Sequence, residues 1–332
     1  MDLGMLVFIV IKILVVFGLV MLTVAYLTLL ERKVLAHMQV RMGPMVAGPH
    51  GILQPIADGI KLLFKEDIVT KQADKVFYFL APALSVIPVL MIFAVIPFGD
   101  KTTLFGLLKE PVELRITGLR IDILYVFAMS GLATYGVVFG GWSQNNKYAL
   151  IGGIREAAQL ISYEVAFTLS IFGVVMVAGT LQLDKIVEAQ RNVWFIAYQP
   201  VGFLIFLTAS VAELKRTPFD LPEAESELVA GFHADYSSMK FAMFFIAEYA
   251  SIVVCSCLGT VLFLGGWLGP SILPPFVWYL IKVFVLIFVI IWLRATYPRV
   301  RYDQLMKFGW KFLIPVSFLN IFVTAIVILL VR

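Results

Sequence analysis

Eight apolar runs, each long enough to cross a bilayer, constrain this chain more than any other feature. They lie near Leu3–Leu30, Val76–Phe98, Ile121–Gly140, Ala157–Ala178, Trp194–Ala212, Met239–Leu264, Pro275–Leu293 and Phe312–Val331. A spanning helix needs about 20 predominantly apolar residues. The composition agrees: 61% of the 332 residues are apolar and 14% are charged, against about 45–50% and about 25% in soluble domains. A soluble enzyme could not hide this much apolar surface. The expected fold is all-α, a polytopic membrane helix bundle of about eight transmembrane helices, forming a single membrane domain over 1–332. The first run lacks a basic start, is too long, and precedes no small-residue cleavage site, so it reads as a span and not as a signal peptide.

Lysine and arginine set the orientation. With the N-terminus outside, the inside loops are 31–75, 141–156, 213–240 and 294–311, and they carry 17 basic residues. The outside loops and C-terminus carry seven, Lys101, Lys109, Arg115, Arg120, Lys185, Arg191 and Arg332. This predicts both termini outside. Lys12 and Lys282 fall within spans and are expected to snorkel to an interface. One segment, Ile52–Glu66, is two-faced but too short to cross. Gln54, Asp58, Lys61 and Lys65 share one face, and Leu53, Ile56, Ile60, Leu63 and Phe64 fill the other. Fifteen residues make a helix of about 22 Å, which predicts an interfacial helix and a lip over an opening from the lipid.

Several chemistries are excluded. The two cysteines, Cys255 and Cys257, are two residues apart on a helix and point to different faces. An iron–sulfur cluster normally takes four thiolates, so this chain cannot hold one alone. His37, His50 and His233 show no metal-ligand spacing, and no dinucleotide or phosphate-binding loop motif is present. The glycine-rich run 43–51 follows no strand and reads as a turn. No basic tail suggests nucleic acid.

The informative residues are acids. Glu164 lies inside the fourth span, about 10 Å deep, and Glu248 inside the sixth, about 14 Å deep, at 1.5 Å per residue. A lone carboxylate there must be protonated, paired or facing water. Glu213 stands where the fifth span ends. The loop after it carries Asp220, Glu223, Glu225, Glu227 and Asp235, against Lys215 and Arg216. This inverts the basic pattern of inside loops and predicts a ladder of acids able to relay protons. Pro218 and Pro222 limit regular helix there. The last inside loop brings Arg294, Arg299 and Arg301 within eight residues, able to hold an acidic partner or a polar headgroup.

The stretch Glu213-Leu-Lys-Arg-Thr-Pro-Phe-Asp-Leu-Pro-Glu-Ala-Glu-Ser-Glu-Leu-Val-Ala-Gly231 closely resembles the signature loop of one membrane family, the quinone-site H subunits of bacterial NADH:quinone oxidoreductase, respiratory complex I. Tyr236-Ser-Ser-Met-Lys-Phe241, Ala247-Glu-Tyr249, Glu31-Arg-Lys33, Gln54-Pro-Ile-Ala-Asp58, Arg155 with Gln159-Leu-Ile-Ser-Tyr-Glu164, and Arg299-Val-Arg-Tyr-Asp-Gln304 extend the likeness in order. The resemblance implies a membrane subunit that forms much of a quinone tunnel in the bacterial inner membrane. Quinone is then the substrate, and NADH, FMN and iron–sulfur clusters belong to partner subunits, with none bound by this chain. It implies proton transfer and coupling at Glu164, Glu213, Glu223, Glu225, Glu227, Asp235 and Glu248. It implies a tunnel or headgroup region at Arg216, Gln54, Asp58, Lys61, Lys65, Arg294 and Arg299. The tunnel mouth is expected between the first span, the interfacial helix and the sixth span. The implied partners are the redox arm at the inside loops, other membrane subunits laterally, and lipid. Two positions depart from the family pattern: Val46 replaces a basic residue and Asp235 a glutamate. Two other classes remain compatible, a homologous subunit of a membrane-bound hydrogenase or other-donor dehydrogenase, and a stand-alone secondary transporter. The latter often shows internal repeats, and none is evident here.

Overall fold

A computed structural model describes residues 3–100, 114–222 and 225–331 of the chain. In chain order the helices are α1 (Leu3–Met38), α2 (Gln54–Phe64), α3 (Lys75–Ile92), α4 (Asp122–Ser143), α5 (Lys147–Ala178), α6 (Leu183–Ala189), α7 (Phe195–Tyr198), α8 (Pro200–Glu213), α9 (Glu225–Leu228), α10 (Ser238–Phe263), α11 (Pro275–Thr296), α12 (Tyr302–Phe308) and α13 (Ile314–Val331). Among the described residues seven helical stretches are long and apolar enough to cross a membrane, and the shorter α8 is apolar as well. The chain is a multi-pass membrane protein.

The expected fifth span is not one helix. It divides into α7 and α8 at Gln199, whose backbone leaves the helical region just before Pro200. Proline removes the donor that would continue the helix and restricts the residue before it. Gln199 then serves as a polar rivet. It donates to Thr324 Oγ1 at 2.6 Å and accepts from Asn320 Nδ2 at 2.9 Å, tying α13 to this break.

Several helices run further than their apolar runs at the ends that carry the expected inside loops. The helix α1 continues through Glu31, Arg32 and Lys33 to Met38. The helix α5 begins at Lys147, with Asn146 capping the Tyr148 amide. The chain reverses between α4 and α5 in three residues, Gln144 to Asn146. Most of the last inside loop is also helical, since α12 leads through a π-turn at Gly309–Leu313 into α13. That turn packs on α5: Trp310 donates to Ser162 at 3.1 Å, and Tyr163 to the Leu305 carbonyl at 3.0 Å.

The helix α10 is the axis of the bundle, lined along most of its length by buried residues. It packs against α3, α11 and α1. The α3–α4 pair approaches closely because Gly136 has no side chain. A Cβ there would stand 2.8 Å from the Ala81 carbonyl oxygen, a close approach typical of small residues between membrane helices. Within the two-faced segment Ile52–Glu66 a helix forms over Gln54–Phe64 and rests against α1 and α10. The start of α10 holds its end: Ser238 donates to the Leu62 carbonyl at 2.9 Å, and Lys240 pairs with Asp67 at 2.6 Å.

Lys282 turns toward the loop that follows α10. It is 7% exposed, and its ammonium donates to the carbonyls of Leu264, Gly266 and Leu268 at 2.7, 2.9 and 2.6 Å. A helix end leaves carbonyls without partners, and this lysine closes the C-terminus of α10 from α11. Lys282→Met should therefore strip donors from buried carbonyls, at about 1–3 kcal/mol for each left unsatisfied. The expected result is a lower thermal inactivation midpoint for the assembled protein, partly restored by Lys282→Arg. An unchanged midpoint in Lys282→Met would remove this role. Lys12 differs, donating to the Arg115 backbone carbonyl at 3.2 Å.

Candidate functional site

The site is built around the end of α8. After Glu213 the backbone turns at Lys215, a non-glycine residue in the left-handed region with φ 56°. This throws Lys215 and Arg216 in different directions. Arg216 is 4% exposed and reaches two helices at once. Its Nη1 donates to Glu31 Oε1 of α1 at 2.8 Å, and its Nε lies 2.8 Å from Glu248 Oε1 of α10. The guanidinium also stacks over the Tyr249 ring, 4.7 Å from its centroid. Arg294 of α11 closes the group by pairing with Glu31. Two acids and two arginines balance in charge, so the network can sit out of water. Burial opposes the Arg216 charge. The Glu248 and Glu31 carboxylates outweigh it, so its pKa rises above that of a free arginine.

Lys215 turns instead toward α5 and pairs with Glu156, whose side chain is fully buried. Its ammonium lies 5.0 Å from the centroid of the Phe232 ring. On the other side Glu213 accepts from Ser130 of α4 at 2.7 Å. Between these groups lies a cavity of about 90 Å³, walled by α3, α4, α5, α8 and α10. Glu156, Glu213, Lys215, His233, Ser130 and Glu248 all line it. A space of that size with several polar partners has room for a few waters. Glu164 lies two turns beyond Glu156 on α5 and is half-buried. Its field acts on Glu213, and Gly131 of α4 leaves room for its carboxylate.

His233 packs edge-on against Phe232 and Phe241. Burial, and then the nearby Lys215 charge, lower its pKa from 6.5 to about 4. The imidazole is therefore neutral at physiological pH. Between those two values the unfolded chain holds a proton that the folded chain lacks. Its contribution to stability is thus complete above pH 6.5 and lost as the pH falls toward 4. His233→Asn should make thermal stability less acid-sensitive across that window, read from inactivation midpoints at a series of pH values. An unaltered slope would refute the assignment.

The expected site residues fall into groups. Glu248, Arg216 and Arg294 meet in the ion network, and Glu213, Glu164 and Glu248 surround or border the cavity. The acidic loop is less unbalanced than its own sequence shows, because distant arginines reach it. Arg155 pairs with Glu227 at 2.6 Å and Arg299 with Asp220 at 2.9 Å. Asp235 is fixed through its backbone, donating to Gln144 at 3.0 Å and accepting from Tyr78 at 2.9 Å. Glu223 lies outside the described residues, as does the side chain of Glu225. Gln54, Asp58 and Lys61 gather on the surface of α2, where Arg32 of α1 anchors Asp58 at 2.6 Å. Lys65 is exposed at the end of that helix. Glu31, Glu156, Ser130 and His233 are members that sequence reasoning did not select. The signal for Glu156 was its spacing: eight residues before Glu164 is the same face of one helix.

Among the described residues no group of three or more histidine, cysteine, aspartate or glutamate side chains is arranged to hold a metal ion. A sequence model of the family described as NADH dehydrogenase matches residues 11–325. The chain is 52% identical over 327 residues to the NADH-quinone oxidoreductase H subunit 1 of Geobacter sulfurreducens, covering 96% of this chain and 94% of that one. It is 53% identical over 320 residues to the corresponding H subunit of Syntrophotalea carbinolica, with 96% of each covered. It is 48% identical to the H subunit 2 of Rhizobium meliloti, with 98% of each covered. A match along nearly the whole chain, to proteins of the same length, places this chain in the NADH dehydrogenase family, among the H subunits of NADH-quinone oxidoreductase.

Proposed function

We propose that the chain is the membrane subunit of a proton-translocating NADH:quinone oxidoreductase, in which it forms much of the quinone tunnel and an acidic path for coupling. The observation that carries this is the buried group Glu31–Arg216–Glu248, which joins three polypeptide segments and meets the acid-lined cavity at Glu248. Buried charges inside a membrane bundle are costly and mark ion or proton pathways by default. A charge developing on a quinone headgroup beside this network is felt at the cavity, because a low dielectric weakens the field little. The apolar face of α2, resting between α1 and α10, suits the lip of an opening for a lipid-soluble tail. Both termini lie outside, the redox arm docks on the inside loops, and NADH, flavin and iron–sulfur clusters sit on partner subunits. One membrane domain accounts for all of these features.

The test is purification from native membranes followed by labelling. The chain should copurify with redox subunits in a quinone-reducing complex, and a photoreactive quinone should mark α1, α2 or α10. The separated chain should carry no flavin or cluster spectrum. Labelling confined to the outer ends of the helices, or recovery of the chain alone in active form, would overturn the proposal.

A further inference from the structure

We propose that Lys215 is a mobile counter-ion shared by Glu156 and Glu213, and that its passage between them trades protons with the water of the cavity. This rests on the coupling role proposed above for the chain.

The geometry points to Lys215 because two buried acids face one cavity and it pairs with only one of them, while Glu156 Oε2 and Glu213 Oε2 are each buried with no hydrogen-bond partner among the described residues. Glu156 is fully buried on α5 and is held by the Lys215 ammonium. Glu213 has one oxygen on the Ser130 hydroxyl. Its other oxygen, Oε2, is buried with no hydrogen-bond partner among the described residues. Both carboxylates and the lysine line the same cavity. Arg216 is engaged elsewhere, by Glu31, Glu248 and the Tyr249 ring. One movable cation therefore stands beside two acids. A lysine suits this role, because it is a compact charge on a flexible four-carbon stem, whereas a guanidinium is a rigid fork. Lys215 also begins from the turn only two residues past Glu213, so a change in its side-chain torsions redirects the ammonium without moving a helix.

The surrounding charges bias the choice. Glu248 faces the cavity from α10, Glu164 borders it from α5, and neutral His233 closes it from the loop before α10. The Lys215 charge acts on Glu213, Glu248 and His233 as well as on Glu156. A buried carboxylate without a counter-ion holds a proton. When the ammonium leaves Glu156 for Glu213 Oε2, Glu156 takes one proton from cavity water and Glu213 releases one to it. The ammonium keeps its three protons throughout. The step moves a charge across the cavity, and the proton count balances.

The experiment uses the intact complex carrying Glu156→Gln/Lys215→Met, Lys215→Met alone and Lys215→Arg, at equal subunit content. Removing both partners leaves no uncompensated charge, so the double variant should assemble even where Lys215→Met alone does not. If the pair exchanges protons, the double variant should translocate fewer protons per quinone reduced, by about two-fold or more. The redox-difference infrared spectrum of the wild type should show one protonated carboxyl band gained and another lost, and the double variant should lack the pair. Lys215→Arg, which keeps the charge but not the mobility, should assemble and still translocate poorly. Full proton stoichiometry in the double variant, or in Lys215→Arg, would show that the pair is a structural tie and overturn the proposal. A wild-type complex that does not reduce quinone would instead overturn the function proposed for the chain.

Discussion

Arg216→Met should disable the protein more than any other single change in it. The substitution leaves the Glu31 and Glu248 carboxylates buried against each other with Arg294 as the remaining base. Removing one partner of a buried ion pair costs about 3–5 kcal/mol, and Arg216 serves two. The expected outcome is poor incorporation of the subunit, and a loss of quinone reductase activity of about ten-fold or more per assembled complex. Arg216→Lys should recover part of the loss, because an ammonium cannot bond two carboxylates and stack on Tyr249 with the same geometry. Arg294→Met should do less harm, since Arg294 is a third exposed and Glu31 retains Arg216. Native gels and activity per unit of assembled complex measure all three. Normal assembly and turnover in Arg216→Met would remove the network from any account of function.

The second large effect is expected at Glu248, read against two controls. Glu248→Gln takes a charge from the one residue common to the ion network and the cavity, and leaves Arg216 with Glu31 alone. Quinone reduction and proton translocation should both fall, by about ten-fold for each 1.4 kcal/mol of lost interaction. Glu227→Gln should cost far less. Its partner Arg155 is reached across a partly exposed surface, where such pairs contribute about 0–1 kcal/mol. Glu188→Gln, on an exposed position of α6, should leave both rates unchanged. Equal behaviour of the three variants, measured in complexes of equal subunit content, would reduce the acids to a solvated face.

The spans were legible because lipid imposes a simple rule. A chain crossing it must satisfy its own backbone, so length and apolarity alone located most of the helices. The two-faced pattern likewise located α2. What the rule does not cover was misjudged. Polar residues at the inside ends of α1 and α5 read as loop, although the helices continue past the apolar layer. That hid Glu31 and Glu156 from consideration as site residues. The division at Gln199 was equally hidden, because apolarity reports side chains and not the backbone donor lost at Pro200. Glu164, Glu213 and Glu248 stood out because an acid within a long apolar run has few structural reasons to be there. Their partners did not, since Arg216 reaches Glu31 across 185 residues of sequence and Arg294 reaches it across 263. Nothing local announces such pairings, and counting bases within one loop missed Arg155 and Arg299.

That separation also dictates an order of biosynthesis. Glu31 lies on α1, and both of its bases lie far downstream. At about 5–20 residues per second, the 185 residues to Arg216 take roughly 10–40 s, and Arg294 comes later still. Throughout that interval the acid lacks both of the arginines that neutralise it in the finished bundle. The helix that carries it therefore gains its buried ion pairs only once Arg216 and Arg294 have been made. Its sparse packing, with only 11% of its most apolar window buried, suits a helix held at one end by charge and otherwise left to lipid. A chain cut short before residue 216 would keep the Arg32–Asp58 tie on its first helix but lose both bases that hold Glu31.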